Sequence, residues 1–585
     1  MFQRALRFGV ALTSLLYLAG CATYGEGMNK TLQQVEKGSY QKANKSLEST
    51  LNPKGDDGLL YHLEFGTIHH LAGNYKKSNR HLEKAHSLAD ELRSKQASDY
   101  LAAAMVNPRE TTYMGSDVER VYINYYKSLN YLMMAQLAEE EQVRDKHMES
   151  ARVEIRRLDN TLSSMSFEKG NYKEVKDKEK ETFAKLMDLF KKFQGNWLDE
   201  DWLVYREDAY ARYMAGVLYE KSGDFDDARI AYQKAAELYG EGYTKQYDLD
   251  SGMAERAWFD TIRMMRRGGG WEGEWQRFAE DHLSQQWRDR LDSYGDSGAQ
   301  LMVVQHMGMI PQRKEMNLHL TANAETQSLE LRPVLGGTEQ QKEDQMSWFF
   351  LLYGDKGVMS MLDGFQENGL AGVHDSVTSK TVSLGPAWTI AENLRIPQAI
   401  GNEGIRVTVP YYSPLRTAAN GSRLKVNGER VTEFKQAESL YQLVLQEQLL
   451  NAGSDLNGAM ARATFKNTVA AEAGGALGGG MGRLLAKLVA SGSSAAETRN
   501  WLTLPYGIRV ARVSVEPGEH TVDITSLTNN GNQLAHKQRT VEVDKGEIKV
   551  VVERTMDPSQ QRPHREGQEM KTASQESAPA QAMTE

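Results

Sequence analysis

The sequence is poor in cysteine and proline and carries no excess of basic charge. One cysteine among 585 residues excludes an internal disulfide and a multi-cysteine metal site. Asp and Glu outnumber Lys and Arg by 79 to 70, and no basic stripe offsets this balance, so nucleic acid is not an expected partner. Hydrophobic residues make up 40% and charged residues 25%, which excludes wholesale disorder and a multi-span membrane protein. At roughly 150 residues per domain, the length predicts about four units.

The single cysteine, Cys21, ends a stretch with the features of an export signal. Arg4 and Arg7 precede an apolar run, residues 8–18, which is too short for a comfortable permanent membrane span. With the following Leu-Ala-Gly-Cys, this stretch resembles a bacterial lipoprotein signal. In that family the thiol is acylated and the preceding peptide is removed, so Cys21 would begin the mature chain. Each buried methylene of the lipid contributes about 0.8 kcal/mol, so the acyl chains would anchor the protein at a bilayer.

The residue after the cysteine predicts the destination. In the lipoproteins that this sequence resembles, an Asp directly after the cysteine is the pattern of retention in the inner membrane. This chain has Ala22 at that position. We therefore expect an outer-membrane location facing the periplasm. Residues 21–27 are small and polar and are predicted to form a tether.

Residues 28–294 have apolar side chains at the three and four spacing of helices. Around Gly223, the sequence closely resembles a tetratricopeptide repeat, with Gly216 on the first helix and Tyr232 on the second. Small residues at such positions let paired helices approach. A second match surrounds Gly73. The irregular spacing between these matches departs from a regular array, but the pattern predicts a repeat-like helical domain.

The chemistry changes after this helical region. Residues 295–432 and 501–556 are predicted to be two parts of one β-rich, sandwich-like module, split by a helical glycine-rich insertion at 433–500. Residues 557–585 are predicted to be a disordered tail. The expected fold class is α + β and multidomain, with an N-terminal tetratricopeptide-like α-solenoid followed by this β-rich module.

The polar loop before residue 120 contains the candidate partner-binding residues. Ser116 and Glu119 have the spacing of a capping box, which accounts for their polarity locally. Arg109, Tyr113 and Arg120 are left as candidates for a surface that contacts a partner, against the alternative of plain loop and cap residues.

The glycine-rich stretch 468–490 is unusual because Gly474, Gly478 and Gly482 recur every four residues. Such a face permits close helix contact and predicts self-association. The alternatives are a helical hairpin packed on the β module or a simple glycine loop.

Catalytic and metal-binding signatures are missing from the sequence. The histidines between residues 62 and 86 lack HExxH or comparable ligand spacing, and no nucleophile elbow or phosphate-binding loop occurs. We therefore expect no enzyme activity, no metal site and no cofactor.

The cysteine signal, the repeat-like helices, the segment NPRETTYMGSDVER and the segment ETRNWLTLPYGIRVAR together resemble a family of bacterial outer-membrane lipoproteins without an assigned biochemical function. The resemblance covers most of the chain. Because tetratricopeptide solenoids bind peptides or partner domains, it implies a lipid-anchored scaffold that binds a periplasmic or envelope protein. Regulation of cell-wall synthesis is one version of this role, by analogy with lipoprotein activators of penicillin-binding proteins. The alternative is a self-associating structural component of the envelope.

Overall fold

The computed structural model describes residues 24–105, 108–165, 207–293, 299–353, 378–472 and 495–561. It has an N-terminal helical region followed by a sheet-rich C-terminal region, as the α + β assignment predicted. Cys21 lies outside the described residues. Within the described ranges, no helix is both long enough and apolar enough to cross a membrane.

The N-terminal helices pair in sequence order. The first eight are α1 (Tyr24–Glu36), α2 (Tyr40–Thr50), α3 (Gly58–Leu71), α4 (Tyr75–Met105), α5 (Asp117–Gln136), α6 (Glu141–Met165), α7 (Ala209–Lys221) and α8 (Phe225–Leu238). They are followed by α9 (Gly252–Gly268), α10 (Trp275–His282) and α11 (Gln285–Ser293). Consecutive helices α1 to α8 form four helical pairs, which we number one to four.

Glycine shapes both the turns and the contacts of these pairs. Gly38, Gly73 and Gly223 lie at the turns of pairs one, two and four with φ of +66°, +72° and +80°, a conformation that favours glycine. A β-carbon built on Gly216 would lie 2.5 Å from the ring of Tyr232. The close approach predicted for these two residues is therefore present.

Three four-stranded sheets follow. The strands are β1 (Ala299–Met307), β2 (Arg313–Asn323), β3 (Ser328–Val334), β4 (Lys380–Ser383), β5 (Ile405–Tyr412), β6 (Ala419–Val426), β7 (Glu429–Glu433), β8 (Lys435–Glu438), β9 (Gly507–Val515), β10 (Gly518–Thr528), β11 (Gln533–Val543) and β12 (Ile548–Thr555). Their orders are β12-β1-β9-β8, β11-β10-β6-β7 and β4-β3-β2-β5. We call them the first, second and third sheets.

The first sheet is the middle layer of the molecule. Along β1, Leu301 and Val303 share a hydrophobic core with Leu424 and Ile524 of the second sheet. The alternate residue Met302 belongs to the large core that contains the N-terminal helices. Because both faces are covered, every residue of β1 is buried. Strand β1 pairs antiparallel with β9 and parallel with β12, far along the chain.

The third sheet is formed by the stretch between β1 and β6 and carries its own helices. They are α12 (Glu339–Leu352), α13 (Trp388–Asn393) and α14 (Ile396–Ile400), and the long α15 (Leu440–Glu472) packs across β5. The first part of the predicted β-rich module therefore also contains helices. The predicted helical insertion at 433–500 includes strand β8 before α15 begins.

The disordered tail was predicted to start at residue 557, but the chain still makes buried contacts there. Asp557 is fully buried and accepts a hydrogen bond of 2.9 Å from the Tyr506 hydroxyl. Gln560 is also buried, and its side chain bonds both backbone groups of Met309. Composition alone missed these contacts because they form with residues distant in sequence. Residues 562–585 lie outside the described part of the chain.

Candidate functional site

A segment without helix or strand, residues 495–506, lies against helices α3 and α5. We call it the groove segment, and the surface that receives it the helical groove. All of its residues except Glu497 are buried, and Trp501 is 0% exposed. The helical groove is therefore occupied by a piece of the same chain, which turns at residues 501–504.

Glu64 of α3 binds the backbone of the groove segment. Its Oε1 accepts a hydrogen bond of 2.7 Å from the Leu502 N–H, and its Oε2 accepts bonds of 3.2 Å from the Thr503 N–H and 2.6 Å from the Thr503 hydroxyl. The Tyr24 hydroxyl of α1 donates a further bond of 3.0 Å. A buried carboxylate with four donors fixes the segment in place, because backbone N–H groups away from water require an acceptor.

Glu119 of α5 plays a parallel role next to it. It completes the predicted capping box with Ser116 at the start of α5. Its Oε1 also accepts a bond of 2.7 Å from the Trp501 N–H, and the Tyr113 hydroxyl donates to both of its oxygens at 2.8 Å. One side chain thus caps a helix and holds the groove segment.

Trp501 anchors the segment between the two helices. Its indole N–H donates to the hydroxyls of Thr67, at 2.9 Å, and Thr503, at 3.1 Å. Its ring lies against Tyr126 of α5, with centroids 5.8 Å apart. A buried indole contributes both a large apolar area and a directed hydrogen-bond donor. Trp501 therefore anchors the groove segment to α3 and α5.

Arg499 closes the end of the groove nearest the 108–116 loop. Its guanidinium donates to Asp57 at 3.0 Å and to the carbonyls of Pro108 and Thr111 at 2.8 and 2.9 Å. It also lies over the ring of Tyr113, 5.4 Å from the centroid. Arg499 therefore ties the loop, the start of α3 and the groove segment together.

Burial makes the two acceptor carboxyls unusually basic. Desolvation raises the pKa of Glu64 to about 7, although the hydrogen bonds from Thr503, Leu502 and Tyr24 oppose this shift. Burial also raises the pKa of Glu119, against the bonds from Trp501, Tyr113 and Ser116. The groove combines acceptors for N–H donors with an aromatic pocket, which suits it to holding a buried segment of polypeptide.

The three candidate partner-binding residues lie beside this groove and make contacts within the chain. Tyr113 is buried and bonds Glu119, as described. Arg109 pairs with Glu315 of β2 at 2.9 Å, and Arg120 lies 3.7 Å from both Asp90 and Asp117. Burial prevents Tyr113 from offering its ring to a partner, whereas Arg109 and Arg120 are partly exposed.

A second buried cluster joins helical pair four, α9 and the first sheet. Arg512 of β9 pairs with Glu220 at 2.7 Å and with Asp260 at 3.4 Å, and Arg263 lies 2.6 Å from Glu220 and 3.1 Å from Asp260. Burial alone would raise the pKa of Asp260, but the neighbouring arginines hold that pKa well below its ordinary value. The cluster is a structural ionic network.

The histidines of pair two form a small aromatic group. The Nδ1 atoms of His62 and His81 are 3.1 Å apart, and His81 stacks on Phe65. Desolvation lowers the pKa of His62 to about 4 and that of His81 to about 3. Within the described ranges, no group of three or more His, Cys, Asp or Glu side chains has the geometry to hold a metal ion.

No local pattern predicted the helical groove. Trp501 lies in the segment ETRNWLTLPYGIRVAR, but the resemblance assigned this segment no contact, and Glu64 and Thr67 carry no motif. Glu64 and Glu119 bind residues 438 and 382 positions further along the chain. The predicted self-association residues Gly474, Gly478 and Gly482 lie outside the described residues. Comparison of the chain with protein-family models, curated proteins and solved structures finds no match.

Proposed function

We propose that the protein is a lipid-anchored scaffold that faces the periplasm from the outer membrane and binds an envelope protein. The sequence around Cys21 supports the anchor, and Ala22 supports the outer membrane as its destination. Two or three acyl chains are enough to hold a water-exposed body at a bilayer. Regulation of cell-wall synthesis is the version of this role that the lipoprotein resemblance suggests.

The exposed apolar side chains on pairs three and four are the observation that carries the scaffold role, because the helical groove is filled by the chain itself. Tetratricopeptide-like solenoids bind polypeptide on their concave surface, and here Glu64, Glu119 and Trp501 hold a segment of the same chain against the helices. We infer a tetratricopeptide-like solenoid whose inner face is used to hold the sandwich-like module. The helical region and the β-rich region then form one unit. A partner protein would bind a surface of the helical pairs outside the helical groove.

Pairs three and four carry exposed large apolar side chains that suit such contacts. Leu137, at the turn of pair three, is 72% exposed, and Val143, Val153 and Ile230 are exposed on the same two pairs. Exposed apolar side chains of this size are common at protein-binding surfaces when they lie close together. These positions are therefore the best places for a crosslinking probe.

The proposal is tested by in-cell photo-crosslinking of the full-length protein. A photoreactive residue at Val153 or Ile230 should capture one envelope protein, and a Cys21→Ser form should lose or reduce the capture. The same probe at Trp501 is the matched control, since a buried position should give only links within the chain. Absence of any protein partner at several exposed positions would contradict the scaffold role.

The alternative, a self-associating envelope component that uses Gly474, Gly478 and Gly482, makes a different prediction for the same experiment. It predicts a ladder of the protein crosslinked to itself. Gly478→Leu should then abolish the ladder and leave a folded monomer, as measured by light scattering.

A further inference from the structure

The chain between the expected lipid anchor and the folded body is short. Cys21 and Tyr24 are three positions apart, and Tyr24 is the first residue of helix α1. A fully extended chain covers about 3.3–3.6 Å per residue, so these steps reach about 11 Å at most. Residues 24–27, which composition assigned to a tether, lie in the folded body instead.

The first residues of α1 are held firmly in that body. The Tyr24 hydroxyl donates to the buried carboxyl of Glu64 at 3.0 Å. Gly25 is buried, and the Gln312 amide donates to its carbonyl at 3.1 Å and to the side-chain oxygen of Asn29 at 3.0 Å. Detaching this turn would leave buried polar groups without their partners, which is unfavourable. The first turn of α1 therefore cannot serve as additional tether.

The close fit of Gly25 supports this conclusion. A β-carbon built on Gly25 would lie 2.6 Å from the Gln312 side chain. Backbone and amide group are thus packed directly against each other, because glycine has no side chain to separate them.

The short connection limits how far the body can stand from the lipid. The acyl chains of a lipidated cysteine insert into the hydrocarbon, so the cysteine itself lies at the inner edge of the head groups. A bilayer has a hydrocarbon core of about 30 Å within a total of about 40–45 Å, which leaves about 5–8 Å for each head-group layer. Crossing that layer uses most of the available 11 Å or so. The start of α1 would therefore lie at the surface of the head groups.

The surface beside the start of α1 is nearly free of charge. The Gln312 carbonyl accepts a hydrogen bond of 3.1 Å from the N–H of Ser413, in the loop between β5 and β6. Pro311 and residues 413–415 are partly exposed there. We define the anchor face as residues 24–27, Pro311 and residues 413–415. Glu26 is its only residue with a charged side chain, so anionic head groups would repel this face little.

Building on the lipid anchor of the proposed function, we propose that the anchor face lies directly on the head-group layer of the bilayer. The partner of this surface is the lipid itself. The body then has one orientation relative to the membrane, with the first turn of α1 and the loop after β5 against the lipid, and it does not swing on a flexible tether.

Helix α5 places an exposed residue of pair three far from the anchor face. Glu119, near the start of α5, binds Trp501 beside the bond between Leu502 and Glu64, and Glu64 also binds Tyr24. An α-helix rises about 1.5 Å per residue, so Leu137 lies about 27 Å along the axis from Glu119. Leu137 is 72% exposed, which makes it a suitable comparison position.

The test is photo-crosslinking to lipid in membranes of cells that express the full-length protein. A photoreactive residue at Leu415 should capture phospholipid, detected by mass spectrometry of the purified protein. Leu415 is informative because it is remote from Cys21 in sequence and is brought near it only by the fold. The same probe at Leu137 is the matched control and should capture no phospholipid. Pro414 is the second probe position if the Leu415 variant does not fold.

A longer connection should abolish the capture. A flexible Gly-Ser segment of about ten residues between Thr23 and Tyr24 adds a reach of about 17 Å. This variant should remain in the membrane, while lipid capture at Leu415 falls to the level of Leu137. The same segment inserted after Asn530, in the exposed turn between β10 and β11, is the control and should leave the capture unchanged.

The outcomes separate the orientation from the anchor. Membrane fractionation and the intact mass of the protein show whether Cys21 is acylated. An acylated wild type in which Leu415 captures no phospholipid would overturn the orientation and leave the anchor standing. Equal capture at Leu137, or undiminished capture with the longer connection, would also overturn the orientation. A wild type without acyl chains would overturn both.

Discussion

At the scale of single residues, two glutamates do work that their local sequence does not reveal. Glu119 caps helix α5 and also binds the Trp501 N–H, and Glu64 accepts four hydrogen bonds while fully buried. The capping role of Glu119 was predictable because it depends on a neighbour three positions away. The contact with Trp501 was not, because spacing patterns carry no information on distant pairs.

Glu64→Gln should change the pH dependence of stability. The native pKa of Glu64 is about 7 against an ordinary value of 4.5, because of burial, so between these values the folded protein holds a proton that the unfolded chain releases. The free energy of unfolding therefore falls as pH rises from 4.5 to 7, by about 3 kcal/mol from this group. Urea denaturation across this range should show that the fall is lost in Glu64→Gln.

The same variant should also be less stable above pH 7. A glutamine amide places an N–H₂ group against the donors of Leu502 and Thr503, so we expect a loss of about 1–3 kcal/mol. Glu48→Gln, which changes an exposed glutamate on α2, is the control and should keep the wild-type profile. Parallel pH profiles for Glu64→Gln and the wild type would show that the carboxyl is not perturbed.

Gly216 provides a second prediction at this scale. Alanine at this position would put a β-carbon 2.5 Å from the Tyr232 ring, and overpacking of this type costs about 1–3 kcal/mol. Gly240 has no atom within 4 Å of a built β-carbon, so Gly240→Ala should change the free energy of unfolding by less than about 1 kcal/mol. Equal effects of the two substitutions in denaturant unfolding would contradict the close helix contact.

At the scale of elements, the helical pairs were largely predictable and the sheets were only partly so. The three and four spacing of apolar residues and the glycines at 73 and 223 are local signals, and the structure has turns between paired helices there. The alternation of apolar and polar residues in β9 to β12 likewise predicted strands. The sequence pattern did not distinguish the third sheet and its helices from the rest of the β-rich module. Short apolar runs that form strands and short apolar runs that form helices look alike in sequence.

Trp501→Ala should test how much the groove segment contributes. Removing a fully buried indole leaves a cavity and costs about 3–5 kcal/mol, and it also leaves the Thr67 and Thr503 hydroxyls without their donor. Trp501→Phe keeps most of the ring and should lose less. Trp275→Ala, at a partly exposed position on α10, is the control. A loss at Trp501 no larger than at Trp275 would exclude an anchoring role.

At the scale of the whole molecule, the groove segment joins the helical region to the first sheet. It contacts α3 and α5 and runs directly into β9, and Arg512 of β9 enters the ionic cluster of pair four. Local sequence patterns could not predict this connection between the helical region and the first sheet, because its contacts join residues more than 250 positions apart. The predicted boundary at residue 501 cuts through the segment that connects the two regions.

This union predicts linked hydrogen exchange. In Trp501→Phe, amide protection should fall together in α3, α5 and β9, because the groove segment couples them. Strands β3 and β4, which lie beyond β2 in the third sheet, should keep their protection. Mass-spectrometric exchange on the full-length protein measures both sets at once. A fall confined to β9 would show that the helical groove is stable without its occupant.

The parallel pairing of β1 with β12 also dictates an order of folding. The four helical pairs close through neighbours in sequence and can form as soon as they emerge, whereas β1 must wait for a partner that starts at Ile548. Until then one edge of a wholly buried strand is open, and before the groove segment arrives, the carboxyls of Glu64 and Glu119 lack the donors of Trp501, Leu502 and Thr503. Long-range pairing of this type is slow, so the interval before β12 arrives is when the chain is most exposed to aggregation and to chaperones.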